Sequence, residues 1–301
     1  MAETRRIVIL FHADERPERT HEYRIMHSVP HWRAAGFDVA LQFGVAAPFE
    51  ADLVIPQIDL SVMPREYQRA LAACPCVVNR DVTDIRKTAF SRNLVRQHDG
   101  YEGPVIVKTN ANFGGAPERR LARRQPWPQR ALEALREASR RLRRVAATGS
   151  IHRLTHAETL DPNRYPIFPH KRDVPRTVFG NPNLVVERFR PEHIGGQYHL
   201  RSYAFLGDRS MTIRTTADGP VVKGANGSVP EPVPVDERIV AERAALGVDY
   251  GKFDYVLHDG EAVLLDINPT PSFGPVYPTA LRERIARELA PGIEVLFPAS
   301  R

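Results

Sequence analysis

Cysteine is scarce in this 301-residue sequence, which contains two, Cys74 and Cys76, separated by one residue. A disulfide across so short a spacing would be strained, and no further cysteine completes a thiolate metal site. Long apolar runs are also absent, since none approaches the roughly 20 residues that a membrane helix requires. The N-terminus shows no cleavage pattern of a signal peptide. These absences predict a reduced, cytoplasmic protein without a membrane segment.

Several signatures of nucleotide binding and catalysis are missing as well. The chain contains neither G-x-G-x-x-G nor G-x-x-x-x-G-K-[ST], so dinucleotide-binding and P-loop folds lose their best support. The 11 histidines are scattered, and no nucleophile, histidine and acid form a recognisable arrangement for covalent catalysis. What remains, with 42% hydrophobic and 26% charged residues, is the composition of a globular protein that has a substantial core.

Positive charge is concentrated in one segment. Residues 118–144 contain ten arginines and three glutamates, a net +7, whereas the whole chain carries +6, so the remainder carries −1. From Gln129 onward, apolar residues recur at helical spacing, which predicts a solvated amphipathic helix. The alternative is a surface for an anionic substrate, a glycan or a nucleic acid. Only Trp127 interleaves an aromatic side chain with these arginines, which disfavours nucleic acid.

Strands and helices alternate over the first 80 residues, which predicts an α/β unit with a parallel sheet. Apolar runs typical of strands occur at 6–11, 37–43, 52–56 and 76–79. The segments predicted to be helical are 21–35 and 64–73. Further along, the pattern predicts a helix over 81–96, a strand over 103–108, an antiparallel meander over 184–216 and a helix over 236–246.

Oxygen ligands are concentrated in the stretch 253–272. Two apolar runs flank the turn His258-Asp259-Gly260, and Asp-Gly between such runs is a strong hairpin signal. Because side chains alternate along a strand, Asp266 and Asn268 share one face, and folding back at the turn can place Asp254 opposite them. Three such oxygens suit Mg²⁺ bound together with substrate phosphates. The alternative is an acidic edge strand that ends in a turn-forming Asn-Pro.

A second candidate site follows the predicted strand over 103–108. The strand ends on Lys108 and leads into 109–115, a small loop that contains two glycines. Glycines let backbone N–H groups approach a phosphate closely, and the lysine supplies a point charge. Such a loop is equally typical of an ordinary hairpin turn, so both interpretations stay open.

Taken in order, these features resemble the ATP-grasp superfamily over roughly residues 80–275. The matching features are a lysine in the linking segment, a strand-borne lysine with its glycine loop, a Val-Val-Glu-Arg-Phe strand, an arginine on the meander and the Asp-x-Asn-Pro hairpin. The resemblance implies an α/β (α+β) chain, with a parallel α/β pre-ATP-grasp domain at 1–80 and an ATP-grasp domain of the glutathione-synthetase type, with antiparallel sheets, at 81–301. The lobes of the second domain would span about 100–185, with the glycine loop, and about 186–290, with the metal site.

The resemblance also implies an ATP site between these two lobes. The implied ATP-binding residues are Lys87, Lys108, Asn112, Gly114, Gly115, Glu187, Arg188, Phe189 and Glu192. Lys87 and Lys108 would contact the phosphates, and the glycine loop would close as a lid. The backbone at Arg188 and Phe189 would meet the adenine, and Glu192 would bind the ribose hydroxyls.

A metal site and a phosphoryl-transfer site are implied in the same way. The implied metal ligands are Asp254, Asp266 and Asn268. They would hold one or two Mg²⁺, or Mn²⁺ in its place. Arg201 matches the arginine that neutralises charge on the transferred phosphoryl group, and Arg214, Lys223 or Asn226 would complete that end of the site. The family most often has Glu at the second carboxylate, where this chain has Asp266.

The implied activity is ATP-dependent ligation. A carboxylate would have to expel oxide, so phosphorylation to an acylphosphate supplies a leaving group that an amine or similar nucleophile displaces, and positioning and charge neutralisation carry the catalysis. The alternatives are an ATP-grasp kinase that phosphorylates a hydroxyl, and a non-catalytic basic module that binds nucleic acid or an anionic glycan through 118–144. The expected partners of the ligase are small-molecule or peptide carboxylates and amines. The pattern leaves the oligomeric state open, a dimer included.

Overall fold

The computed structural model describes residues 4–122, 154–223 and 226–298. The chain divides into two compact units, one formed by Met1–Asp84 together with Pro191–Arg301, and the other by Ile85–Arg190. The domain and lobe boundaries drawn from the sequence stay a prediction. The helix predicted in the arginine-rich segment lies outside the described residues.

The first unit begins with a parallel sheet, as the sequence predicts. Its order is β2-β1-β3, where β1 is Arg6–Phe11, β2 is Asp38–Phe43 and β3 is Leu53–Gln57. All of β3, and β1 after its first residue, are buried, which explains their continuous apolar sequence. The strand expected over 76–79 is reduced to an isolated parallel bridge between Val54 and Val77.

The helix expected over 21–35 is broken into short segments. They are the 3₁₀ turns Pro17–Glu22 and Arg24–His27 and the helix α1 at Val29–Ala34. The separate helix expected over 64–73 is present as α2 at Arg65–Ala72. Pro30 stands in the first turn of α1. It has no N–H to bond with the preceding turn, so a helix begins there more easily than it continues through.

The second unit is built on an antiparallel sheet of order β5-β4-β6. Its strands are β4 at Val105–Thr109, β5 at Ile167–Phe168 and β6 at Leu184–Arg188. Its helical segments are α3 at Lys87–Phe90, the 3₁₀ turn Asn112–Gly115, α4 at Ala116–Ala122, the 3₁₀ turn Lys171–Asp173 and α5 at Arg176–Phe179. Valines of β4 and β6 supply much of its core.

The helix expected over 81–96 is a single turn, α3, because the chain after it pairs with β6 instead. Val95 N–H donates to Val186 O at 2.8 Å, and Arg188 N–H donates to Asn93 O at 2.8 Å. These tertiary hydrogen bonds outweigh a local helical propensity, which is a weak preference.

A six-stranded antiparallel sheet completes the first unit. Its strands are β7 at Glu192–Ile194, β8 at Gln197–Leu206, β9 at Arg209–Ala217, β10 at Glu231–Val233, β11 at Tyr250–His258 and β12 at Glu261–Asn268. The order is β10-β9-β8-β11-β12, with β7 beside β8. The β11–β12 hairpin is confirmed, and so is the antiparallel pairing of β8 with β9. The meander predicted over 184–216 is wrong in its first strand, because β6 pairs with β4 in the sheet of the second unit. Asp259 and Gly260 at the hairpin turn have φ of 50° and 79°, the left-handed region that Asp-Gly tolerates.

Helices cover this sheet. They are α6 at Glu237–Leu246, α7 at Thr279–Leu289 and the 3₁₀ segment Ala290–Leu296. The side chain of Asp236 caps α6 by accepting from Arg238 N–H, and Gly247 ends it with a φ of 62°. Every helix in the described ranges falls short of the length and hydropathy of a membrane span.

Candidate functional site

Four polar side chains share one face at the open end of the β11–β12 hairpin. The antiparallel register pairs Lys252 with Asn268 and Asp254 with Asp266. Cross-strand partners and residues two apart on a strand lie on the same face. Lys252, Asp254, Asp266 and Asn268 therefore form one polar patch, called here the Asp254 face. The structure brings together all three predicted metal ligands, and it adds Lys252, which the sequence signals only by its position two residues before Asp254.

Asp254 is held in its ionised form by its neighbours. Lys252 Nζ lies 2.8 Å from Asp254 Oδ2, and the hydroxyl of Ser202 on β8 donates to Asp254 Oδ1 at 2.5 Å. Burial alone would raise the pKa of Asp254, but the charges of Lys252 and Lys223 and these hydrogen bonds hold it below its ordinary value. Burial likewise acts to lower the pKa of Lys252, and Asp254 raises it above the ordinary lysine value.

The donors on the Asp254 face fit Mg²⁺. Two carboxylates and an amide are hard oxygen donors, and Mg²⁺ is commonly held by one or two carboxylates with the substrate phosphates supplying the rest. The Asn268 amide oxygen also accepts from Thr270 N–H at 2.9 Å, which fixes its orientation. Across the described residues, no three His, Cys, Asp or Glu side chains are grouped to hold a metal by themselves. The set therefore suits a metal that arrives with phosphate.

Arg201 and Arg214 lie on the opposite face of this sheet. β8 pairs Ser202 with Asp254 and Arg201 with Tyr255. Since successive side chains of a strand alternate, Ser202 points to the Asp254 face and Arg201 points away from it. Arg214 is the partner of Arg201 on β9 and so shares its face. The structure therefore does not bring these two predicted catalytic arginines to the predicted metal ligands.

Arg201 is engaged by a carboxylate of its own. Its Nε lies 2.9 and 3.1 Å from the two oxygens of Glu192, and its Nη2 lies 2.7 Å from one of them. Glu192, whose side chain is 0% exposed, also accepts from Leu257 N–H at 2.8 Å. The hydrogen bond to Glu192 raises the pKa of Arg201. The residue predicted for ribose and the residue predicted for phosphoryl transfer are thus bound to each other.

The remaining predicted catalytic residues differ in their surroundings. Lys223 lies close enough to Asp254 for its charge to lower the carboxyl pKa. Arg214, by contrast, donates from Nε to Glu231 at 3.0 Å in a partly exposed pair. Lys223 thus acts on Asp254 through its charge, whereas Arg214 lies on the opposite face.

The second unit contains a separate buried cluster of charge. Lys108 on β4 and Glu187 on β6 are diagonal neighbours on one face, because β4 pairs Lys108 with Val185 and Ile106 with Glu187. Lys108 Nζ lies 2.7 Å from Glu187 Oε2, with side-chain exposures of 11% and 1%. The predicted phosphate-binding lysine and the predicted adenine-side glutamate are therefore an ion pair.

Lys87 on α3 adds a second cation to this cluster. It is 2% exposed, and its charge helps to lower the pKa of Glu187. Burial would raise that pKa, but Lys108, a hydrogen bond from Ser91 and Lys87 lower it below the ordinary value. Ammonium groups such as those of Lys87 and Lys108 supply point charges that suit a phosphate.

The glycine loop is a fixed 3₁₀ turn at Asn112–Gly115 that leads into α4. Gly114 and Gly115 have φ of 65° and 69°, and a Cβ at Gly114 would approach Leu160 O to 2.8 Å. Arg119 Nη1 donates to Gly114 O at 2.7 Å. The turn therefore requires glycine for its own backbone and packing. Closure as a lid stays a prediction.

The predicted adenine-binding backbone is partly used within the second unit. Arg188 N–H donates to Asn93 O, as described above, and Phe189 N–H donates to Pro104 O at 2.9 Å. The guanidinium of Arg188 lies over the ring of Tyr101, 5.1 Å from its centre. These N–H groups hold the strand in place, and the adenine contact stays a prediction.

Comparison with known proteins finds likeness in structure. No protein-family model and no curated protein matches the sequence. One similar structure is a D-alanine–D-alanine ligase from Bacillus anthracis complexed with ATP (12% identity, TM-score 0.48, covering 98% of this chain and 96% of that chain). Another is the VanG D-Ala:D-Ser ligase from Enterococcus faecalis (11%, 0.49, 98% and 100%). A third is a RimK domain ATP-grasp protein from Sphaerobacter thermophilus (14%, 0.49, 98% and 100%). At these identities and TM-scores, function has to be derived from the chain's own residues.

Proposed function

We propose that this chain is an ATP- and Mg²⁺-dependent ligase of the ATP-grasp type, which activates a carboxylate as an acylphosphate for capture by an amine or a similar nucleophile. The observation that carries the proposal is the Asp254 face. It combines two carboxylates, an amide oxygen and an ionised lysine in one register-defined patch. This combination suits a metal bound to phosphate, with a cation beside it.

The second unit offers a cluster of its own that suits a phosphate. Lys108 and Lys87 supply positive charge there, and Glu187 keeps Lys108 in place through the 2.7 Å ion pair.

In the proposed mechanism, Lys252 takes the part that the sequence assigned to Arg201. Asp254 orients the ammonium of Lys252 at 2.8 Å, on the same face as the metal ligands, where it neutralises charge that develops on the transferred phosphoryl group. Mg²⁺ bound by Asp254, Asp266 and Asn268 would supply Lewis-acid neutralisation of the phosphates. Arg201 is left out, because it lies on the opposite face and pairs with Glu192.

The Asp254 face favours a carboxylate acceptor over a hydroxyl. A carboxylate is already ionised at neutral pH and attacks without a general base, whereas a hydroxyl needs one. Both carboxylates of this face belong to the proposed metal set, and Lys252 is held protonated. The acids and amines would be small molecules or peptides.

Hydroxylamine trapping tests the proposal. With Mg-ATP, hydroxylamine and a pool of carboxylic acids, the ligase should release ADP and form a hydroxamate in equal amounts, because hydroxylamine captures the acylphosphate. Asp254→Asn and Asp266→Asn should abolish both signals, and Asp208→Asn, at an exposed position on a β8–β9 turn, is the matched control. ADP release onto a hydroxyl acceptor without hydroxamate would identify a kinase instead. Full turnover in both face variants would refute the assignment of the site.

A further inference from the structure

Arg24 is a buried cation without a counter-ion in the described part of the chain. The residue is 3% exposed, and its Nε and Nη1 are buried atoms that have no hydrogen-bond partner. Its guanidinium makes no ion pair with any carboxylate of the described residues. Buried polar groups are almost always paired, and an isolated buried charge is costly, so this arginine requires an explanation.

The surroundings of Arg24 connect it to the Asp254 face within the same unit. Its guanidinium lies over the rings of Phe273 and Tyr277, 4.6 and 5.7 Å from their centres. Its backbone N–H donates to Pro271 O at 2.8 Å. All three partners belong to the segment that directly follows Asn268 at the end of β12. Arg24 is thus fixed against the chain just beyond the proposed metal ligands.

Cation–π contact alone does not account for this side chain. Such contacts stabilise a cation, but they leave the in-plane N–H groups of a guanidinium without acceptors. Arg282 shows the ordinary solution, because it lies over the same Phe273 ring at 5.8 Å and donates to the carbonyls of Tyr277 and Gly274 at 2.8 and 3.3 Å. Arg24 has the aromatic contacts without the acceptors, and an anion from outside the chain would supply them.

We propose that Arg24 binds a carboxylate of the acid substrate, an inference that rests on the proposed ligase function and names its substrate class. The planar fork of a guanidinium matches a carboxylate with two parallel hydrogen bonds. The rings of Phe273 and Tyr277, whose centres are 5.4 Å apart, lie on one side of the guanidinium and leave its in-plane N–H groups for an anion. The charge of Lys252, which Arg24 also reaches electrostatically, adds to the attraction for an acid.

Stability separates a binding role from a structural one. If Arg24 awaits a ligand, Arg24→Met should leave the ligand-free Tm unchanged or raise it, because it removes an uncompensated buried charge. Arg282→Met is the matched control at the same ring and should lower the Tm, because it removes hydrogen bonds to two carbonyls. A fall in the Tm of Arg24→Met as large as that of Arg282→Met would overturn the proposal.

Arginine side-chain NMR tests binding directly. In ¹⁵N-arginine protein, the Nε–H signal of Arg24 is identified by its loss in Arg24→Met. Titration with acetate or malonate should move that signal downfield to saturation, whereas acetamide or malonamide should not. Arg24→Lys keeps the charge and loses the fork, and it should weaken malonate binding about 10- to 100-fold. Arg5→Met, which removes an exposed arginine over Phe297, should leave malonate binding unchanged.

Two results would overturn the inference. One is an Arg24 signal that neither acetate nor malonate moves, and the other is saturation by inorganic phosphate alone. The proposed function is judged separately, by Mg-ADP binding in Arg24→Lys. If Mg-ADP binding is retained but the Arg24 signal does not respond to a carboxylate, only the Arg24 proposal is refuted. If the wild-type chain responds to malonate but does not bind Mg-ADP, the proposed ligase function is refuted.

Discussion

The two faces of the six-stranded sheet use the same strands for opposite purposes. On one face, Arg201 and Glu192 satisfy each other completely, with three contacts of 2.7–3.1 Å and a further backbone N–H on Glu192. On the other, Lys252 and Asp254 form a single 2.8 Å contact and stand beside a second carboxylate. The Arg201–Glu192 pair uses its hydrogen-bonding groups within the protein, which suits a structural role. The Asp254 face keeps carboxylate lone pairs that could bind a metal and an ammonium that could bind a phosphate.

The difference between the faces comes from the alternation of side chains. Ser202 and Arg201 are adjacent in sequence, yet one contacts Asp254 and the other Glu192. Phe205 shares the face of Arg201, and Arg243 of α6 lies over its ring at 4.1 Å. An arginine that is adjacent in sequence to a residue contacting Asp254 can therefore lie on the face opposite the proposed metal ligands.

Arg201→Met gives the largest predicted effect on stability. The substitution leaves the fully buried Glu192 without its cation, and breaking a buried ion pair by removing one partner costs about 3–5 kcal/mol. Arg214→Met on the same face is the matched control, since its pair with Glu231 is partly exposed and contributes about 0–1 kcal/mol. Urea unfolding measures both. A stable Arg201→Met variant that loses phosphoryl transfer would show that Arg201 acts in catalysis, and would contradict the structural role given to its face.

Lys252→Met gives the largest predicted effect on turnover. Removing the cation beside the transferred phosphoryl group should lower kcat by about 10²–10³-fold, the usual cost of one electrostatic group. Mg-nucleotide binding should survive, because Asp254, Asp266 and Asn268 remain. Lys252→Arg preserves the charge and should recover part of the rate. Steady-state kinetics with unchanged kcat in Lys252→Met would remove this residue from the mechanism.

The unfolding free energy at acidic pH should depend on the ionisation of Asp254 and not on Arg201. The folded pKa of Asp254 lies below its ordinary value of 3.8, so its contribution to stability is present above pH 4 and is lost as pH falls through the folded pKa. Asp254→Asn should therefore flatten the decline in unfolding free energy below pH 4. The part due to Glu187 should remain, since its pKa is lowered too. An unchanged acid profile in Asp254→Asn would contradict the assigned pairing with Lys252.

Much of the fold follows from local sequence patterns. The parallel sheet, the β8–β9 pair and the Asp259-Gly260 hairpin all have signals that a strand or a turn carries by itself. The sheet to which β6 belongs was predicted wrongly, because its pairing with β4 is not a local signal. The segment after α3 was predicted wrongly as a helix, because its pairing with β6 depends on residues about 90 positions away. Local propensity is outweighed by such tertiary contacts.

The part of the candidate site that lies on one hairpin was predictable from the sequence. The part that depends on the register between strands distant in sequence was not. Asp254, Asp266 and Asn268 share one hairpin, so alternation and the turn suffice to place them together. The place of Arg201 depends on how β8 is registered against β11, and a one-residue shift would reverse its face. Arg24 carries no sequence signal at all, because its lack of partners is a property of packing alone.

Calorimetric titration with a non-hydrolysable ATP analogue, with and without Mg²⁺, tests the central claim most directly. We expect Mg²⁺-dependent binding to the wild-type chain, to Asp208→Asn and to the Glu231→Gln variant on the Arg201 face. The Mg²⁺-dependent part should be lost in both Asp254→Asn and Asp266→Asn. Equal Mg²⁺-dependent affinity in all these proteins would contradict the claim that the Asp254 face holds the metal and its nucleotide.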